Sequence, residues 1–305
     1  MTSSSQSESE EIESPVQASQ WIGWLPISVM PLTVISCRNL LPSWVFMWTL
    51  SLAIFVGVKW LTWWRIRRLV FHPAWRSIAY LLAWPGMDAD AFLDAHQRVP
   101  PPTLTTWLWA TLETILGVIL VWIVARSLPV GKPLLRGWVG MLGLILLLHF
   151  GSFRLIALVW QTFGVKAKPI MLAPFRSASL AEFWGKRWNL GFRQLSYELI
   201  FRPLHRTLGT DAAGWVVFLA SGLIHELVIS LPARAGYGLP TTYFLLQGAG
   251  ITVEHTRFGR RFGLGRGVQG WLFMAVFVAG PVFWLFHPWF VLRVIVPFMQ
   301  AIHAL

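Results

Sequence analysis

The sequence predicts an all-α polytopic membrane bundle of about eight spans, and three observations predict it. Apolar runs of spanning length recur along the chain, tryptophans gather at the ends of those runs, and the cations fall between them. Hydrophobic residues make up 55% of the 305 and charged residues only 12%, about half the usual share for a soluble domain. A soluble fold of this size has no place to hide that much apolar surface. A bilayer does, since each span needs roughly 20 mainly apolar residues. Trp21, Trp24, Trp44, Trp63, Trp64, Trp107, Trp138, Trp271 and Trp289 sit near run ends, as headgroup-level aromatic belts require.

The candidate spans follow in order. Trp21 to Cys37 is short and holds Pro26 and Pro31, which predicts a tilted or broken span. Trp44 to Trp64, Leu104 to Ala125 and Trp138 to Phe163 are longer. Gly214 to Leu231, Thr241 to His255, Trp271 to Phe286 and Trp289 to Ala301 complete the set. The first, sixth and eighth are short enough to be re-entrant. Residues 1–20 are expected to form a disordered acidic tail, with Ser and Glu dominating Met1 to Ser14 and no basic n-region for a secretory signal. Residues 21–305 then form one membrane-embedded domain, with its motifs in 178–226.

The net charge of +12 would suggest nucleic acid in a soluble protein. Here the cations mark topology instead, so no nucleic-acid partner is expected. Arg65 to Thr103, Gly164 to Ala213 and the segment after His255 are rich in Lys and Arg. The intervening loops carry only Arg38, then Arg126, Lys132 and Arg136, then Arg234. Positive-inside logic puts the rich loops in the cytoplasm, and eight spans put both termini there. The one cysteine, Cys37, excludes an internal disulfide and a Cys-based metal site. No internal repeat of a transporter type is evident.

Two constellations carry chemistry. In the fifth run, Ser221-Gly222-Leu-Ile-His225-Glu226 places two ionisable groups at membrane depth, costly unless they face a polar cavity. The plain alternative is a histidine bonded to a neighbouring helix. Ser221 and Gly222 lie on the histidine's own face and leave room for substrate or a close helix. A zinc-protease reading fails, because position 229 is Ile where a second histidine is needed. No metal is expected. The second constellation is Ser179-Leu-Ala-Glu182-Phe183-Trp184-Gly-Lys186-Arg187-Trp188-Asn189-Leu-Gly191. Ser179 and Glu182 make a capping box. Leu180, Phe183, Trp184 and Trp188 share a helical face, Lys186 and Arg187 lie toward the other, and Gly191 can close the helix. That describes an interfacial helix on the cytoplasmic side, whose cations anchor it to the surface or meet donor phosphates.

The string from Ala178 to Asn189 resembles the Phe-Trp-Gly-Arg-Arg-Trp-Asn signature of wax synthases, a branch of the membrane-bound O-acyltransferase family. Ser221 to Glu226 resembles that branch's histidine motif. Lys186 stands where arginine is usual, keeping the charge but not a bidentate grip. The resemblance implies acyl-CoA as co-substrate, a lipophilic alcohol as acceptor and no further cofactor. It implies His225 as the catalytic histidine and Asn189 as its partner, with Trp184, Lys186, Arg187, Trp188, Ser221, Gly222 and Glu226 around the substrates. Chemistry fits these roles: a neutral imidazole can take the alcohol's proton, and an amide N–H can steady the thioester oxygen. Two other readings stay open: acyl or acetyl transfer to a terpenoid or other secondary-metabolite hydroxyl, and a non-catalytic transporter or lipid-binding protein.

Lesser features complete the reading. Asp88, Asp90 and Asp94 suit a solvated helix start; His149 and Arg154 around Gly151 suggest a break facing the active cavity. Glu254 and His255 look interfacial; Lys59, Glu113 and Arg293 lie in or near spans, where the long basic side chains are expected to snorkel.

Overall fold

The computed structural model describes residues 15–305, with side chains from Trp21 onward. The described residues are helical throughout the apolar runs, with an isolated bridge between Arg98 and Val165. The helices are α1 (Pro15–Ser36), α2 (Ser43–Ile66), α3 (Ala74–Ala83), α4 (Ala89–Leu93), α5 (Leu104–Ser127) and α6 (Pro133–Thr162). Then come α7 (Leu190–Ala233), α8 (Leu239–His255), α9 (Arg257–Arg261), α10 (Gly267–Leu285) and α11 (Pro288–Ala301). Among the described residues, five are long and apolar enough to cross a membrane: α2, α5, α6, α7 and α10. Part of α1, Trp21–Ser36, and all of α11 are shorter apolar helices, and α8 has 17 residues. Each expected run therefore has a helix.

Some boundaries move. Residues 15–20, expected in the tail, belong to α1; the rest of the tail lies outside the described residues. Pro26 and Pro31 do not break α1. It lies along α2 so closely that a Cβ on Gly57 would sit 2.5 Å from Ile27 Cα. The same device joins α5 and α6, where a Cβ on Gly117 would meet the Leu147 backbone nitrogen at 2.5 Å. Small residues let backbones approach where apolar burial alone gives no drive, since lipid is as apolar as leucine.

The expected break around Gly151 is a wide π turn over Leu146–Ser152, not an interruption. Gly151 packs on Thr114, and Arg154 reaches across to Glu113 with Nη1–Oε2 at 3.1 Å. Neither His149 nor Arg154 lines the cavity described below. The snorkelling expectation fails for Lys59. Lys59 is 1% exposed, donates to the Gly86 carbonyl and sits 3.4 Å from the centre of the Tyr80 ring. Arg293 Nη1 donates to the Ala233 carbonyl at 3.0 Å. Unpaired charge at depth is expensive, so each cation finds an internal acceptor or ring.

The connection between α2 and α5 folds back as α3 and α4. Arg76 is buried there and donates to the carbonyls of Phe92, Leu93 and Asp94, the open end of α4. Asp88 caps the other end by accepting from Ala91 N at 3.1 Å, as a helix-start aspartate should. The largest apolar core gathers side chains from α2, α5, α6, α7, α8, α10 and α11, among them Val121, Tyr243, Leu285, Phe290, Val294 and Met299.

Candidate functional site

The motif segment folds differently from one amphipathic helix. Ser179 Oγ accepts from Glu182 N at 2.9 Å, as the capping box requires. Glu182 reaches back to Ala178 N, not Ser179 N, at 2.8 Å. The helix then widens into a π turn over Phe183–Arg187 and ends at Trp188, whose backbone is extended. Gly191 does not close it. Instead, Asn189 starts a new helix: it adopts φ +40°, and its Oδ1 accepts from Phe192 N at 3.2 Å, so it caps α7. Asparagine suits this place because a short polar side chain tolerates left-handed backbone and bonds locally.

The aromatic face turns inward. Leu180 and Phe183 are buried with Met274 against Ile251, Phe273 and Phe277 of α8 and α10. Phe183 stacks on Trp188 at 5.3 Å between centroids. Arg187 is occupied by structure: its Nε lies 2.7 Å from Glu182 Oε1, and Nη1 donates to the Leu172 carbonyl at 3.2 Å. Those bonds hold the Glu182 carboxyl below the usual carboxylate range, first through Ala178 N–H and then through Arg187.

His225 lies where a regular stretch of α7 ends and another π turn, Glu226–Ser230, begins. Such one-turn bulges re-aim side chains and cluster at functional sites. Its Nδ1 is 2.6 Å from the Ser221 carbonyl oxygen. A carbonyl only accepts, so Nδ1 carries the proton and Nε2 keeps the lone pair. The ring packs on Phe244 of α8, 4.4 Å between centroids.

One cavity of roughly 510 Å³ collects these parts. Trp184, Trp188 and Asn189 form one wall; Ser221 and His225, from the far half of α7, form the other, with Phe218 and Phe244 between. The wall that ends at Asn189, the cap of α7, meets the wall from the far half of α7 because the helix turns at Gly209 between them, where φ +80° and ψ 170° interrupt the helical path. A side chain there would be strained. The cavity is mainly apolar, with a few convergent polar groups, the usual form of a small-molecule site.

Four of the expected substrate contacts lie elsewhere. Gly222 packs on α8, where a Cβ would fall 2.7 Å from Thr241 Cα. Arg187 is held by Glu182. Lys186 lines a neighbouring pocket of roughly 270 Å³ with Lys168, Arg193 and Asp88, and the two pockets share Gly185 and Arg193. Glu226 does not line the cavity. Its Oε1 accepts from Gly238 N (2.9 Å), Thr241 N (3.1 Å) and Thr241 Oγ1 (3.0 Å). One residue's step is about 100° of helix, which turns Glu226 from the cavity toward the electropositive start of α8.

Sequence reading missed the residues of α8. Glu254, expected at the interface, is 3% exposed and accepts from Leu180 N at 2.5 Å and Ala181 N at 3.2 Å. Gln247 is buried between Trp184 Nε1, which donates to it at 3.4 Å, and the Phe277 carbonyl, which it reaches at 2.8 Å. The signal was present as buried-type polar residues in an apolar run, seven apart on one helical face.

Comparison with known proteins bears on this same stretch. Residues 167–246 match the model of the "Membrane bound O-acyl transferase family". The chain is 33% identical over 141 residues to "Probable long-chain-alcohol O-fatty-acyltransferase 7" of Arabidopsis thaliana, covering 41% of this chain and 40% of that protein. It is 31% identical over 161 residues to "Probable long-chain-alcohol O-fatty-acyltransferase 8" of the same plant, covering 50% and 47%. It is 32% identical over 102 residues to the "Long-chain-alcohol O-fatty-acyltransferase" of Simmondsia chinensis, covering 30% and 29%. The matched stretches thus span less than half the length of these relatives. The segment that builds both walls of the cavity carries the sequence pattern of the membrane bound O-acyl transferase family, in the wax-synthase-like form its two motifs resemble.

Proposed function

We propose that this protein is a membrane O-acyltransferase that moves an acyl group from acyl-CoA to the hydroxyl of a long-chain alcohol. One observation carries the reading: His225 and Asn189, 36 positions apart by their numbering, line one apolar cavity. The relatives named for long-chain alcohols support the acceptor class.

In the proposed reaction, Nε2 of His225 takes the alcohol proton as the oxygen attacks the thioester carbonyl. The Asn189 amide N–H donates to the carbonyl oxygen as it becomes negative; its Oδ1 is already engaged by the Phe192 cap. The C–O bond forms and the C–S bond breaks. The thiolate leaves and takes a proton from the imidazolium, restoring the neutral ring. Trp184, Trp188 and Phe244 bound the space for the apolar chains. Lys186, Lys168 and Arg193 line the adjoining pocket, which suits the phosphates of the donor.

All eight apolar helices are proposed to cross the bilayer, with the motif turn at the cytoplasmic interface and both termini on that side. The excess of cations in the loops after α2, α6 and α8 supports this orientation.

The test is direct. Membranes containing the protein are given labelled acyl-CoA and a panel of alcohols graded by length, with a terpenoid alcohol included. Ester should form with long-chain alcohols and vanish in His225→Ala. Equal turnover in that variant overturns the mechanism, and a preference for the terpenoid overturns the acceptor class.

A further inference from the structure

The loops on the sparsely charged side of the bundle bring two of their few cations together. Arg38 lies between α1 and α2, and Arg234 lies between α7 and α8. Both line one pocket of roughly 210 Å³, with Asn39, Ser43, Phe46 and Tyr237. No carboxylate lines that pocket, and among the described residues neither guanidinium is ion-paired. Arg234 Nη2 donates to Asn39 Oδ1 at 3.2 Å, a neutral partner.

Both arginines are exposed, so water screens their mutual repulsion, but two cations opening on one pocket with no carboxylate make it a net positive site for an anion. Arg234 is held at φ +52°, a conformation a non-glycine residue rarely takes. Guanidinium groups in pairs match phosphate geometry. The surroundings fix the level in the membrane. Arg38 follows the end of α1 and Arg234 follows the end of α7, where headgroups lie. Leu40 is 81% exposed and Tyr237 61%, an apolar and an amphipathic side chain of the kind found at the membrane interface.

We propose that Arg38 and Arg234 bind the phosphate of an anionic glycerophospholipid headgroup, in the leaflet opposite the motif turn. The pocket takes the headgroup, and the acyl chains lie along the outer surface of the bundle. The inference rests on the membrane-embedded reading of the fold and is independent of the acyl-transfer reading.

The protein is purified in neutral detergent, and its thermal unfolding is followed with added short-chain phosphatidylglycerol, phosphatidylcholine or inorganic phosphate. Phosphatidylglycerol should raise the transition, and retained lipid should be visible by native mass spectrometry. R38Q/R234Q should weaken that binding about tenfold, the scale of losing charge-assisted hydrogen bonds. R38K/R234K, which keeps the charge but not the paired forks, should recover only part of it. R38Q alone removes a guanidinium that bonds no neighbour in the pocket, so it carries the test if the double variant unfolds. An equal shift with phosphatidylcholine, an equal shift with inorganic phosphate, or unchanged phosphatidylglycerol binding in R38Q would each overturn the proposal.

Discussion

Asn189 caps α7 and, in the proposed reaction, also donates to the thioester oxygen, and the two roles can be separated. Its oxygen caps α7 while its backbone holds a left-handed turn. Asn189→Asp keeps the capping acceptor and tolerates the turn but has no N–H to give. Its kcat should fall by about 10² to 10³, the scale of losing one oxyanion donor, with the thermal transition nearly unchanged. Asn189→Ala loses the cap as well and should cost about 1 kcal/mol of stability besides. A loss of kcat that appears only in the alanine variant would mean the side chain serves the fold and not the reaction. His225 differs, because its Nδ1 is fixed by a backbone carbonyl that no substitution removes. Glu182 supplies a pH effect. Its carboxyl is held below the usual range by Ala178 N–H and Arg187. Its stabilisation is therefore present above the ordinary carboxylate range and is lost as pH falls through the lowered value. Glu182→Gln should lower the thermal transition at neutral pH, and the gap to the unaltered protein should narrow toward acid.

At the scale of elements, α8 joins the two halves of the site. Near its start it meets Glu226, in mid-length Phe244 and Gln247 face His225 and Trp184, and near its end Glu254 holds the motif turn. Glu254→Ala leaves two amide groups of that turn without their partner. The expected result is a fall in kcat with little change in the donor KM, and partial rescue by Glu254→Gln, which retains one acceptor. Gly222→Leu forces α7 off Thr241 and should cost about 1–3 kcal/mol of stability, read by thermal unfolding. The motif segment was legible in part. Its cap and its aromatic face follow from local rules, whereas the stop at Trp188 comes from Asn189 starting the next helix. The direction of Glu226 was not legible, since its partner begins 12 residues later in another element. The same holds for Lys59, whose acceptor at Gly86 lies 27 residues away.

At the scale of the whole molecule, each apolar run read from hydropathy has a helix among the described residues. Hydropathy did not find the turn at Gly209, because the polar segment around it reads as loop while its backbone is helical on either side. The single cysteine offers a test of orientation. Cys37 and Lys186→Cys, the latter in a Cys37→Ser background, should lie on opposite faces of the membrane. Labelling of sealed vesicles with an impermeant thiol reagent should mark one and not the other. Labelling of both from the same side would break the proposed arrangement of spans.

The contacts of α8 also make its length a measured quantity. Thr241 and Glu254 are 13 residues apart by their numbering, about 20 Å of helix. Fixed at both ends, α8 acts as a gauge block: it holds Glu226, next to the histidine, and the motif turn at a set spacing and a set facing. Adding one residue to its middle turns the far end by about 100° and takes Glu254 away from Leu180. Adding four nearly restores the facing but lengthens the helix by about 6 Å. The spacing of the two motifs is therefore written in a residue count, in a helix that carries neither of them.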